Sequence, residues 1–98
     1  MNFLGKKVII RCYSAGCWYG ILEEKSGNEV IVRMARRMYS WKAAQSISLS
    51  AVALYGVDPY RSAICEPVPA VWLEAIEIIP CSKIAIDSLE GCENVKAK

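Results

Sequence analysis

The segment Arg33-Met34-Ala35-Arg36-Arg37-Met38-Tyr39-Ser40-Trp41-Lys42 concentrates the side chains best suited to chemistry. On a regular strand residues two apart share a face, so Arg33, Arg37, Tyr39 and Trp41 project together while Arg36 points the other way with Met34 and Met38. A guanidinium fork pairs with a phosphate in bidentate fashion and an aromatic face stacks on a base, so the combination suits a nucleotide. Arg11 and Tyr13 extend it on an adjacent strand. The candidate ligand-binding set is therefore Arg11, Tyr13, Arg33, Arg36, Arg37, Tyr39 and Trp41. The same residue types also suit a protein interface, where Arg, Tyr and Trp dominate binding energy, or a solvated sheet face with snorkelling arginines. Trp18 and Trp72 read as packing anchors.

Catalysis is harder to assemble. The chain has no histidine, which removes Ser-His and Cys-His nucleophile pairs and the commonest base at neutral pH. Glu23-Glu24 and Glu74/Glu77 read as solvated charge on strand or turn surfaces, and no phosphate loop or Gly-x-Ser-x-Gly turn is present. The five cysteines, Cys12, Cys17, Cys65, Cys81 and Cys92, are odd in number and irregularly spaced, so reduced thiols are expected. Cys12 and Cys17 flank a hairpin and read as small buried hydrophobes. Without histidine or a close Cys-x-x-Cys pair, no zinc site is expected. The reading is of a protein with no enzymatic activity, no catalytic residues, no metal and no cofactor.

The elements that must position the basic-aromatic segment are strands. Residues 7–13 alternate Val8, Ile10 and Cys12 against Ile9, Arg11 and Tyr13, and Ser14-Ala15-Gly16 supplies a turn. Extended structure resumes over 17–24, with Gly20 marking a bulge, and Ser26-Gly27-Asn28 turns into a third strand through Val30, Val32 and Met34. A three-stranded meander over residues 7–39 is thus expected. Ser50 to Gly56 reads as a short capped helical segment, and residues 57–70, with Pro59, Pro67 and Pro69, as the longest loop. A further strand follows over 72–79, ended by Pro80, and then a helix capped by Ser82 and closed by Gly91. The fold class is α+β, mainly β: a small antiparallel sheet or partly open barrel, built from the meander plus a later strand, with one short C-terminal helix. The whole chain, 1–98, is read as one domain with its core over about 6–91 and a frayed tail over 92–98.

Composition agrees with a folded module. Of 98 residues 54% are hydrophobic and 22% charged, which is far from the composition of a disordered chain. That apolar fraction is high for so small a sphere, so a homo-oligomer is expected. No apolar run approaches the roughly 20 residues that span a bilayer, and the N-terminus lacks the order of a signal peptide, so a cytoplasmic protein without a membrane partner is expected. Net charge is +2, but residues 1–45 hold eight Lys/Arg against three Asp/Glu, and residues 46–98 hold four against seven. The asymmetry fits an anionic ligand on the N-terminal half, or mutual attraction of the halves.

The run Ala35-Arg36-Arg37-Met38-Tyr39-Ser40-Trp41, with Ser48-Leu49-Ser50-Ala51-Val52-Ala53-Leu54-Tyr55-Gly56 and Trp72-Leu73-Glu74-Ala75-Ile76-Glu77-Ile78-Ile79-Pro80-Cys81, resembles a family of small proteins of tailed phages and prophages. The resemblance spans residues 6–82 and carries no activity with it. By setting and chemistry it implies a phage anti-defence "sponge" in the cytoplasm of the infected host. Such a protein sequesters a small anionic nucleotide signal, a cyclic nucleotide or an ADP-ribose derivative. Two other classes compete: a β module that binds nucleic acid, and a protein inhibitor or structural phage component.

Overall fold

Alternating apolar residues and two tight turns generate the first three strands of the computed structural model, which describes residues 2–95. Strand β1 (Lys7–Cys12) turns at Gly16, whose φ of 77° favours glycine, into β2 (Cys17–Ser26), and β3 (Glu29–Ser40) follows. Helix α1 (Leu49–Tyr55), β4 (Ala63–Cys65), β5 (Val68–Pro80), α2 (Lys83–Gly91) and β6 (Asn94–Val95) complete the order. Both helices start at a serine whose hydroxyl accepts a backbone N–H three residues on: Ser48 from Ala51 and Ser82 from Ala85, each at 3.1 Å.

The strands form an antiparallel sheet whose hydrogen bonding runs in a ring, β1–β2–β3–β5 and back to β1, with β4 added to β3 and β6 parallel to β4. Of the two expected forms, the antiparallel sheet is the one found; its ring-like bonding does not make it a barrel. Val8, Ile10, Trp18, Leu22, Val32 and Leu73 belong to an inner core enclosed by the ring, onto which Phe3 packs. A second core, including Ile9, Tyr19, Met38, Val52, Ile64 and Leu89, gathers residues from the sheet and from both helices.

Two short helices are present, α1 over the expected 50–55 segment and α2 after Ser82. Two expectations are corrected. The loop over 57–70 is partly strand: β4 pairs with the end of β3, and β5 begins at Val68 opposite Ala35. Proline is tolerated near a strand end, which is why Pro69 did not stop it. The tail is not frayed throughout, because Asn94 and Val95 pair with Ile64 and Cys65; residues 96–98 lie outside the described residues.

One irregularity governs the site. Tyr19 pairs with Arg36 and Ile21 with Arg33, so three steps of β3 face two of β2, and Met34 takes up the excess at φ 49°. The bulge expected at Gly20 is present, with its extra residue on the opposing strand. Gly20 is required there, since a Cβ would meet Val32 Cγ1 at 2.6 Å and the Arg33 carbonyl at 2.9 Å.

Candidate functional site

The bulge inverts the alternation of β3. Before it, Val30 and Val32 face the inner core and Arg33 faces out; after it, Ala35 faces the inner core and Met38 the second core. Arg33 and Arg37 therefore project to opposite faces, where regular alternation would have put them on one. Arg33 forms an ion pair with Glu23, Nε to Oε1 3.0 Å, both half exposed. Arg37 instead lies opposite Trp18, its guanidinium carbon 4.2 Å from the ring centroid. Its Nη1 donates to the Ala15 carbonyl at 3.0 Å, the same oxygen that accepts the Trp18 indole N–H at 3.0 Å. The β1–β2 turn, Trp18 and Arg37 are thus tied together.

Register brings most of the candidate set to this turn. Cys17 pairs with Arg11 on one side and Met38 on the other, so Arg11, Tyr13, Arg37, Tyr39 and Trp41 surround one end of the sheet. Tyr13 is 91% and Tyr39 76% exposed, leaving two aromatic faces open to solvent. Arg11 Nε donates to Glu77 Oε1 at 3.0 Å across the β1–β5 pairing. Trp41 is half buried against the second core and serves packing.

Arg36 has a different setting. It is 5% exposed and donates to the carbonyls of Ile64, Cys65, Leu89, Cys92 and Glu93 and to the Asn94 side chain, at 2.6–3.5 Å. One side chain thereby holds β4, the end of α2 and β6 to the sheet. Its expected orientation, away from Arg37, is found, and so is its burial's cost offset: the orphan carbonyls at a helix C-terminus accept from a buried cation.

Beside it lies a recess of about 340 Å³ that sequence reasoning did not anticipate, walled by Lys7, Tyr19, Met34, Pro67, Glu90 and Asn94 among others. The Tyr19 hydroxyl donates to the Glu90 carboxylate at 2.6 Å, and Lys7 Nζ is also 2.6 Å from it. These bonds from Lys7 and Tyr19 hold the Glu90 carboxyl below its ordinary value. Burial, together with the bond to Glu90, pushes the Tyr19 phenol up. Tyr19 and Glu90 are 71 positions apart, so no local pattern could have joined them.

All five cysteines are free thiols. Cys12 belongs to the inner core and Cys17 packs against the second, so the two do not face each other. Burial pushes the thiols of Cys12, Cys17 and Cys92 up, with Trp41 partly offsetting it at Cys17, and pushes Cys81 up to about 12. Among the described residues no group of three or more metal-ligating side chains converges, and no helix is long and apolar enough to cross a membrane.

These elements define a small mainly-β α+β domain with a basic-aromatic end and a buried arginine clasp. Residues 5–89 match the model of a domain of unknown function, DUF6948, and the chain belongs to that family. No curated protein and no solved structure matches it.

Proposed function

We propose that this domain is a non-catalytic binding protein that sequesters a small anionic nucleotide at the end of the sheet bounded by the β1–β2 turn. The observation that carries the reading is Arg37. A guanidinium has five N–H donors, and the one hydrogen bond found for Arg37 among the described residues uses one, to Ala15. Stacking on Trp18 orients the remaining fork at the surface, so little side-chain entropy is left to lose when a phosphate binds. Exposed Tyr13 and Tyr39 supply faces on which a base can stack.

Arg33 and Arg11 take a lesser part in this reading, because each already has a carboxylate partner, and Arg36 takes none directly. Retention without turnover is supported by the lack of histidine and by thiols held protonated through burial. In the phage setting that the sequence resemblance implies, the ligand is a cyclic nucleotide or ADP-ribose-derived immune signal, captured stoichiometrically in the host cytoplasm.

Titration calorimetry with cyclic dinucleotides, cyclic mononucleotides, cyclic oligonucleotides and ADP-ribose derivatives tests the proposal. Arg37→Ala should weaken capture by about 1.5–3 kcal/mol, the range for a hydrogen bond to a charged group, with the fold intact. Short and long oligonucleotides run alongside distinguish a polynucleotide binder, whose affinity grows with length and falls steeply with salt. If no small nucleotide binds below the micromolar range and Arg37→Ala matches wild type throughout, the nucleotide reading is lost.

A further inference from the structure

The outward face of β3 and β5 carries three rows of side chains. The register sets Glu29 opposite Glu74, Ile31 opposite Trp72, and Arg33 opposite Ala70. The intervening Val30, Val32 and Leu73 are buried in the inner core, so the paired rows point away from it. Read along the strands, the rows are acidic, apolar and basic, each about 7 Å from the next.

Two features of this face are uncompensated within one chain. Glu29 and Glu74 are like charges directly opposed across a sheet, an arrangement that destabilises the pairing. Among the described residues the ion pairs involve neither of them. Trp72 leaves 55% of its surface in water at the centre of the face, although Trp is the side chain with most to gain from burial.

A second copy of the chain answers both. Consider a two-fold axis lying in the interface along the Ile31–Trp72 row. Rotation about it turns one face onto the other and reverses the strand direction, so the apolar row meets itself. The acidic and basic rows stand equally far from the axis on opposite sides, so each falls on the other. Glu29 of one copy then lies over Arg33 of its partner, twice by symmetry, with Glu74 beside the same guanidinium; Arg33 pairs with Glu23 of its own chain through Nε, so the contact across the interface uses its Nη donors. An axis along the strands would instead set acid on acid.

We propose that this chain forms a two-fold dimer through the outward face of β3 and β5, with Ile31 and Trp72 at its centre and reciprocal Glu29–Arg33 pairs across it. Packing of two sheets face to face is an ordinary layer arrangement, and an isologous patch must be self-complementary in this way. The dimer does not rest on the nucleotide reading, since Arg37 belongs to the opposite face of β3.

Sedimentation of the full chain over a range of micromolar concentrations tests it. Wild type should dimerise reversibly, more weakly as salt is raised. Arg33→Glu sets glutamate over glutamate across both junctions and Glu29→Arg sets arginine over arginine, so each variant alone should raise the dissociation constant at least about tenfold through like-charge contact. Mixed together, the two should form a heterodimer of near wild-type strength, because both junctions then pair opposite charges. Circular dichroism confirms that each is folded. Should either charge variant unfold, Trp72→Ala replaces it and should weaken the dimer likewise. A wild type that stays monomeric at every concentration overturns the proposal, as does association that the variants leave unchanged or that mixing does not restore.

Discussion

Arg36 and Arg37 are adjacent in the chain, and the two regions they serve behave as opposites. The Arg36 region is a clasp: a cation with little access to water gives its donors to carbonyls of β4 and of the end of α2 and to the Asn94 side chain of β6, adding to the pairing of β4 with β3. The Arg37 region is a rim: a cation on an aromatic ring, with one hydrogen bond and most of its fork toward solvent. A basic residue's type says nothing of its task. What decides it is the supply of unpaired acceptors nearby, rich at the end of α2 and poor above Trp18.

The comparison breaks most visibly if Arg36 is removed. Arg36→Ala should destabilise the fold by about 3 kcal/mol or more, since each buried carbonyl left without a donor costs roughly 1–3 kcal/mol. Denaturant unfolding measures the loss, and hydrogen exchange should show the 92–95 segment released first. Arg36→Lys should not restore it, because an ammonium cannot span the same fork of acceptors. Arg37→Ala, by contrast, should change stability by no more than about 1 kcal/mol, the worth of an exposed cation–π contact. Equal effects at the two positions would erase the distinction.

A smaller loss is expected at the residue that lets the two regions part. Gly20→Ala puts a methyl group within 3 Å of Val32 and of the β3 backbone. The bulge must shift, at a cost of about 2 kcal/mol. Thermal melts read the destabilisation, and nucleotide titration of the same variant shows whether the rim is disturbed with it.

The smallest effect sharpens the edge of the clasp. Glu90 is held below its ordinary value of 4.5, so its bonds to Lys7 and Tyr19 stabilise the fold above that pH and the contribution fades as pH falls through the lower native value. Glu90→Gln should cost under about 1 kcal/mol at neutral pH, as the pair is half exposed. The gap between variant and wild type should close on acidification below pH 4.5. A gap independent of pH would assign Glu90 to packing.

Local pattern made much of this molecule legible. Alternation and glycine turns marked the meander, and Ser82 caps α2 as expected; α1 is capped by Ser48, two residues before the expected start at Ser50. The candidate site was legible only in part. Arg11, Tyr13, Arg37, Tyr39 and Trp41 fall at one end of the sheet, since antiparallel register is a consequence of where the turns fall, but Arg11 shares the Cys17–Met38 row and so lies on the face opposite Arg37. Arg33 does not join them, because one extra residue at Met34 reverses every later side chain, and a methionine carries no sign of a left-handed backbone.

Residue types and short-range pattern were enough for the mainly-β class, the three strands of the meander, the two helix positions and the lack of a histidine base. Each of these follows from residue type or from neighbours within a few positions. Tertiary structure alone decided that the sheet bonds in a ring, that Arg36 is a clasp and Arg37 a rim, and that Tyr19 meets Glu90. It also decided that Glu29 faces Glu74 across two strands 45 positions apart, where like charges call for a partner. These pairings depend on which strand lies beside which, and the free energy that selects them is burial summed over the whole chain, which no short window of residues contains.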